Sequence, residues 1–115
     1  MEKVYEKIQK YKKLAVKKPK YYVSIGNLYM ENADFKTATI YYQKAVDNGV
    51  LAYTVLGDTW GYRSQYKKAF DVYTEGANKG EAECFARLGF CYENGYVKID
   101  IQKAIEYYAK ASDLG

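Results

Sequence analysis

Apolar side chains recur at helical spacing through seven stretches of the chain, at about 3–17, 20–32, 34–48, 50–63, 65–79, 81–94 and 100–113. Within this rhythm one motif returns three times. An aromatic residue is followed three positions on by an apolar pair ending in Gly, then by a second aromatic, and the next helix carries an Ala and a Tyr. The three copies are Tyr22, Ile25-Gly26, Tyr29, Ala38, Tyr42; Tyr53, Leu56-Gly57, Trp60, Ala69, Tyr73; and Phe85, Leu88-Gly89, Tyr92, Ala104, Tyr108. The glycines repeat at intervals of 31 and 32 residues. A period of this size marks stacked two-helix units whose apolar faces are buried only by their neighbours.

Glycine inside a helix costs about 1 kcal/mol relative to Ala, so its recurrence at 26, 57 and 89 implies close helix approach. Ala38, Ala69 and Ala104 mark the facing surface, and the recurring aromatics fill the holes that small residues leave. Asn32-Ala33-Asp34 and Asn94-Gly95 read as turns, and Gly49 and Gly80 stand where left-handed C-terminal caps are expected. Tyr11 precedes Tyr22 by eleven residues, as Tyr42 precedes Tyr53. By that register Val4 and Leu14 fall where Phe35 and Ala45 do, and 3–17 is a second-type helix without its first partner. Pro19 is expected to end it.

These residues identify a resemblance. The aromatic-Gly-aromatic spacing, with Ala twelve residues after the Gly and an aromatic four further, resembles the tetratricopeptide repeat (TPR). Asn94-Gly95, the three extra residues before Lys103-Ala104, Tyr107-Tyr108, Lys110-Ala111, and a Gly eleven residues after the Ala at 49, 80 and 115 resemble its relative, the Sel-one-like repeat. The resemblance covers nearly the whole chain. It implies an all-α, right-handed αα-superhelix of about seven helices in one domain, 1–115: a lone B-type helix at 1–19, then repeats at 20–49, 50–80 and 81–115.

The resemblance also implies a scaffold or adaptor that binds a peptide or protein partner along a concave groove lined by the first helix of each pair. That face nominates Lys20, Val23, Ser24 and Asn27; Leu51, Thr54, Val55, Asp58 and Tyr62; and Glu83, Arg87, Phe90 and Asn94. From these, Asn27, Asp58, Tyr62, Arg87 and Phe90 are the candidate partner contacts. TPR domains that grip chaperone tails use a two-carboxylate clamp. Asn27 and Arg87 match it, whereas Val23, Val55 and Glu83 stand where Lys, Asn and Lys are needed. Recognition of such tails is not expected.

Composition changes this picture little. A chain that is 49% hydrophobic with a single Pro is not disordered, and 115 residues suffice for one core. No apolar run approaches the roughly 20 residues that span a bilayer, and no signal peptide is visible, so a cytoplasmic protein without membrane contact is expected. The absence of His removes the commonest general base and metal ligand, and neither a phosphate loop nor a metal cluster is evident. A non-enzyme without cofactor or metal is the reading. Cys84 and Cys91, seven apart on one helix, have Cα atoms about 10 Å apart at 1.5 Å per residue, too far to bridge; they read as small buried apolar residues.

Two alternatives stay open. Residues 1–20 carry eight Lys against Glu2 and Glu6, a charge of +6, while the rest of the chain carries −2. A basic surface for nucleic acid is one reading of this, ranked below a solvated helix face. The last helix keeps Ile101, Ile105, Tyr108 and Ala109 apolar with no polar cap after Gly115, so the chain is either a piece of a longer array or pairs with another copy there.

Overall fold

A computed structural model describes residues 3–115. Those residues form seven α-helices and no strand: α1 (Val4–Ala15), α2 (Tyr21–Glu31), α3 (Phe35–Asp47), α4 (Tyr53–Tyr62), α5 (Tyr66–Asn78), α6 (Glu83–Asn94) and α7 (Ile101–Leu114). They fall into two compact units, Met1–Ala52 and Tyr53–Gly115. In the first, α2 packs against α1 and α3; in the second, α4 packs on α5, α6 on both α5 and α7, and α4 touches α6.

The recurrent glycines do what their spacing implies. A Cβ on Gly26 would lie 2.5 Å from the ring of Tyr42, and one on Gly57 would press as hard on Tyr73. Tyr42 and Tyr73 are buried, as are Ala38 and Ala69 four residues earlier on the same second helices. At the third copy the fit is looser: a Cβ on Gly89 would come within 3.0 Å of Tyr108, whose ring stays partly in solvent. Gly76 was not singled out by the motif. It stands where α3 has Ala45, and a Cβ there would lie 2.5 Å from the Cys84 sulfur, which itself is fully buried.

Helix ends follow local chemistry. Asp34 and Asp100 cap α3 and α7, each Oδ1 accepting from a backbone N–H three residues on, at 3.1 Å in both cases. Gly49 and Gly80 adopt φ of +85° and +94°, and Val50 N–H and Glu81 N–H then donate back to the carbonyls of Ala45 and Gly76. This exit consumes Val50 to Ala52, so α4 starts at Tyr53, three residues later than the periodicity suggests. Pro19 does not end α1. The helix closes at Ala15, with Leu14 C=O accepting from Lys17 and Lys18, and Pro19 instead opens the turn into α2 by accepting from Tyr22 N–H. Proline is well tolerated there, because a first-turn N–H has no helical acceptor.

Two non-glycine residues sit in the left-handed region, Ala33 at φ +57° and Ser64 at +61°, each just after a helix. A Cβ in that conformation costs about 1–2 kcal/mol, partly offset by the larger unfolded-state entropy of Gly. Ala33→Gly is therefore expected to raise stability by about 0.5–1 kcal/mol, read as a higher denaturant midpoint. An unchanged or lower midpoint would show that the turn tolerates the side chain at no cost.

Candidate functional site

The second unit contains an open hollow of about 450 Å³. Its base is built from the repeat motif. Gly57 admits the ring of Tyr73, which lies flat enough for its hydroxyl to donate to Asp58 Oδ1, the residue after the Gly. Arg87 arrives from α6 and forks onto the same carboxylate, Nε to Oδ1 at 2.9 Å and Nη2 to Oδ2 at 3.2 Å. Glu83, one turn earlier on α6, stands 3.6 Å from Nη2. Asp58 thus accepts three hydrogen bonds and ties α4, α5 and α6 together.

Aromatic side chains form the walls. Gly95 takes φ +75° after α6, which turns the chain so that Tyr96 reaches back over α4. The Tyr96 ring lies 4.6 Å from Tyr66 and 5.5 Å from Phe90, the latter edge-to-face. Tyr62 and Phe90 stand at the rim, and a Cβ on Gly61 would lie 3.0 Å from the Tyr96 hydroxyl.

Four of the five candidate contacts, Asp58, Tyr62, Arg87 and Phe90, line this one hollow. Asn27 belongs to the other unit, where its Oδ1 accepts from the Tyr42 hydroxyl at 2.5 Å. Asn27, Asp58 and Phe90 occupy the same place in the three repeats, directly after the motif Gly. Where that place holds Phe90, the Tyr108 hydroxyl turns to Glu93 Oε1 instead, at 2.8 Å. The polar residue after the Gly is therefore part of the packing motif, which the sequence reading had left out of it. Thr54, nominated for the groove, is buried: its backbone N–H and hydroxyl both donate to Glu81 Oε2, while Glu81 Oε1 accepts from Tyr53 N–H at 2.9 Å. Glu81 caps α4 from a loop 27 residues away.

The cysteines are both free and fully buried. Burial foremost pushes each thiol up to about 12, the nearby carboxylates of Glu81 and Asp58 adding to Cys84 and that of Asp58 to Cys91. Burial and the bond to Asp58 hold the Tyr73 phenol far above its ordinary value. Burial, then the bond to Glu93, raises Tyr108 to about 12. In each case the folded chain keeps a proton that the unfolded chain releases at lower pH. The stability these groups contribute is complete below their unfolded values near 9 and 10 and drains away as pH climbs toward 12. Denaturant midpoints are therefore expected to hold steady to about pH 9 and fall progressively above it; a midpoint level to pH 11 would contradict the protected thiols. Among the described residues no group of three or more His, Cys, Asp or Glu is placed to hold a metal, and no helix is long and apolar enough to cross a membrane.

A family model, Sel1 repeat, matches residues 21–50 and 83–115, more than half of the chain. The chain belongs to the Sel1 repeat family. The matched Sel1 stretches correspond to α2–α3 and α6–α7; α4–α5 lies outside them yet repeats the same Gly-on-Tyr contact. A Sel1 repeat protein from Oxalobacter formigenes superposes with a TM-score of 0.79 at 23% identity over 98% of this chain. MamA gives 0.77 at 19% identity over 96%. The chain spans 51% of the first structure and 68% of the second. A search of curated proteins gives no match. The all-α solenoid fold is thus that of Sel1 and TPR-like repeats, which commonly serve as protein-interaction modules.

Proposed function

We propose that the chain is a non-enzymatic interaction module that binds a segment of a partner protein, with the hollow between α4 and α6 as its anchor site. The observation that carries this reading is the convergence of Asp58, Tyr62, Arg87 and Phe90, 32 residues apart in sequence at their extremes, on one aromatic-walled cavity. Its volume lies in the range of sites that enclose one large side chain or a small ligand. Aromatic and Arg side chains in a recess are also what dominates binding energy at protein interfaces. The arrangement offers no nucleophile: the thiols are buried and held protonated, and Asp58 is occupied by three donors. Arg87, the match to the chaperone-tail clamp, is already paired with Asp58 and faces Glu83, which supports the expectation that carboxylate tails are not the ligand.

Selection of displayed random peptides against the purified chain tests this. Selected peptides are expected to bind at micromolar strength and to lose about tenfold, roughly 1.4 kcal/mol, on Phe90→Ala, measured by titration calorimetry. Peptides that bind equally well to the Phe90→Ala and Tyr62→Ala variants would place the interface elsewhere and overturn the reading.

A further inference from the structure

The aromatic rings of the second unit divide into two kinds. Trp60 has the Arg63 guanidinium at 4.5 Å and the Lys68 ammonium at 4.6 Å from its centroid, and Phe70, Phe85 and Tyr92 each have a lysine of this chain over them. Among the described residues no Lys or Arg stands over Tyr66, Phe90 or Tyr96, three rings of the hollow of which Tyr96 contacts both others. Tyr66 and Phe90 are both more than two-fifths exposed, so their faces are open to a ligand.

Within the lining Asp58 and Arg87 balance each other, and the surplus negative charge lies just outside it. The carboxylates of Asp58 and Glu83 flank the single guanidinium of Arg87, and Glu93 lies beside the hollow on the Tyr108 hydroxyl. The Tyr96 phenol is raised, chiefly by burial and in smaller part by neighbours that include Asp58. Ring faces and surplus carboxylates attract the same thing, a cation. A planar guanidinium stacks on rings and forks onto carboxylates, as Arg63 and Arg87 of this chain do.

We propose that the hollow receives an arginine side chain of the partner polypeptide, held against Tyr66, Phe90 and Tyr96 with Glu83 just outside the lining, beside Arg87. This rests on the interaction reading above and names the chemistry of its anchor. A neutral apolar side chain would gain the ring contacts but not the field, and a carboxylate would meet Glu83.

The test titrates the whole chain with the pentapeptide acetyl-Gly-Gly-Arg-Gly-Gly-amide and with its citrulline counterpart, which keeps the shape and loses the charge. Side-chain resonances of Tyr66, Phe90 and Tyr96 are followed by NMR. The arginine peptide is expected to shift these resonances with at least tenfold higher affinity than the citrulline peptide, to weaken as salt is raised, and to lose its preference on Phe90→Ala. Equal or tighter binding of the citrulline peptide, or of one with Phe at the centre, overturns the arginine anchor. So does an absence of shifts at the three rings with the arginine peptide. In either case the display-selected peptides separate the two readings: if they still shift these resonances, only the arginine anchor falls, and if they do not, the interaction site falls with it.

Discussion

Gly57→Ala is expected to destabilise the protein by about 3 kcal/mol, although the change is favourable by about 1 kcal/mol in a solvent-exposed helix. The reason is the Tyr73 ring, which a Cβ at 57 would overlap. Tyr73 has no route of escape: it is 3% exposed, and its hydroxyl is tied to Asp58. Gly89→Ala meets the corresponding Tyr108 at 3.0 Å, and that ring is 38% exposed, so it can swing outward at the expense of its bond to Glu93. The cost there is expected at about 1 kcal/mol. A reversal of sign makes the test specific. In a Tyr108→Ala background the ring is gone, and Gly89→Ala is expected to stabilise by about 0.5–1 kcal/mol through helix propensity alone. Equilibrium unfolding in urea of the four proteins in this cycle gives the coupling directly. A destabilisation that persists without the ring would mean that the glycine serves something other than the aromatic contact.

Much of the fold was legible because it is written in local spacing. A glycine, an alanine twelve residues later and a tyrosine sixteen residues later define a hole and its knob, and the structure joins Gly26 to Tyr42 and Gly57 to Tyr73 accordingly. The caps at Gly49 and Gly80 were readable for the same reason, since they depend on a few bonded neighbours. The site was legible only as a face. Register could place Asp58, Tyr62, Arg87 and Phe90 on first-type helices, but not that Asp58 and Arg87 lie within hydrogen-bond reach, which depends on rotamers and the separation of α4 and α6. Tyr66 and Tyr96 were missed for different reasons: Tyr66 stands in register with Phe35 at the start of a second-type helix, off the nominated face, whereas Tyr96 occupies no repeat position and is carried in by the loop after Gly95, among the residues by which the third repeat is longer. One available signal went unused. Aligning the residues after the motif glycines gives Asn27, Asp58 and Phe90, and two hydrogen-bonding residues in register with a buried tyrosine suggest a partner for its hydroxyl.

That partnership sets the second large effect. Asp58→Ala is expected to cost about 2–3 kcal/mol, because it removes one small side chain and strands two donors. The Tyr73 hydroxyl is buried and loses its acceptor, and the Arg87 guanidinium, about one-third exposed, loses its forked counter-ion. The partial exposure of Arg87 keeps the cost below the 3–5 kcal/mol or so typical of breaking a fully buried pair. Asp58→Asn keeps an acceptor and the shape but not the charge, and it is expected to cost about half as much. Asn27→Ala, at the same place in the first repeat, removes one acceptor of the Tyr42 hydroxyl and breaks no ion pair like that of Asp58 with Arg87, so about 1 kcal/mol is expected. In a Tyr73→Phe background the penalty of Asp58→Ala should shrink by about 1 kcal/mol, because one of the two stranded donors is absent. Equal costs for Asp58→Ala and Asn27→Ala in urea unfolding would show that the ion pair of Asp58 with Arg87 adds nothing to the stability of the fold.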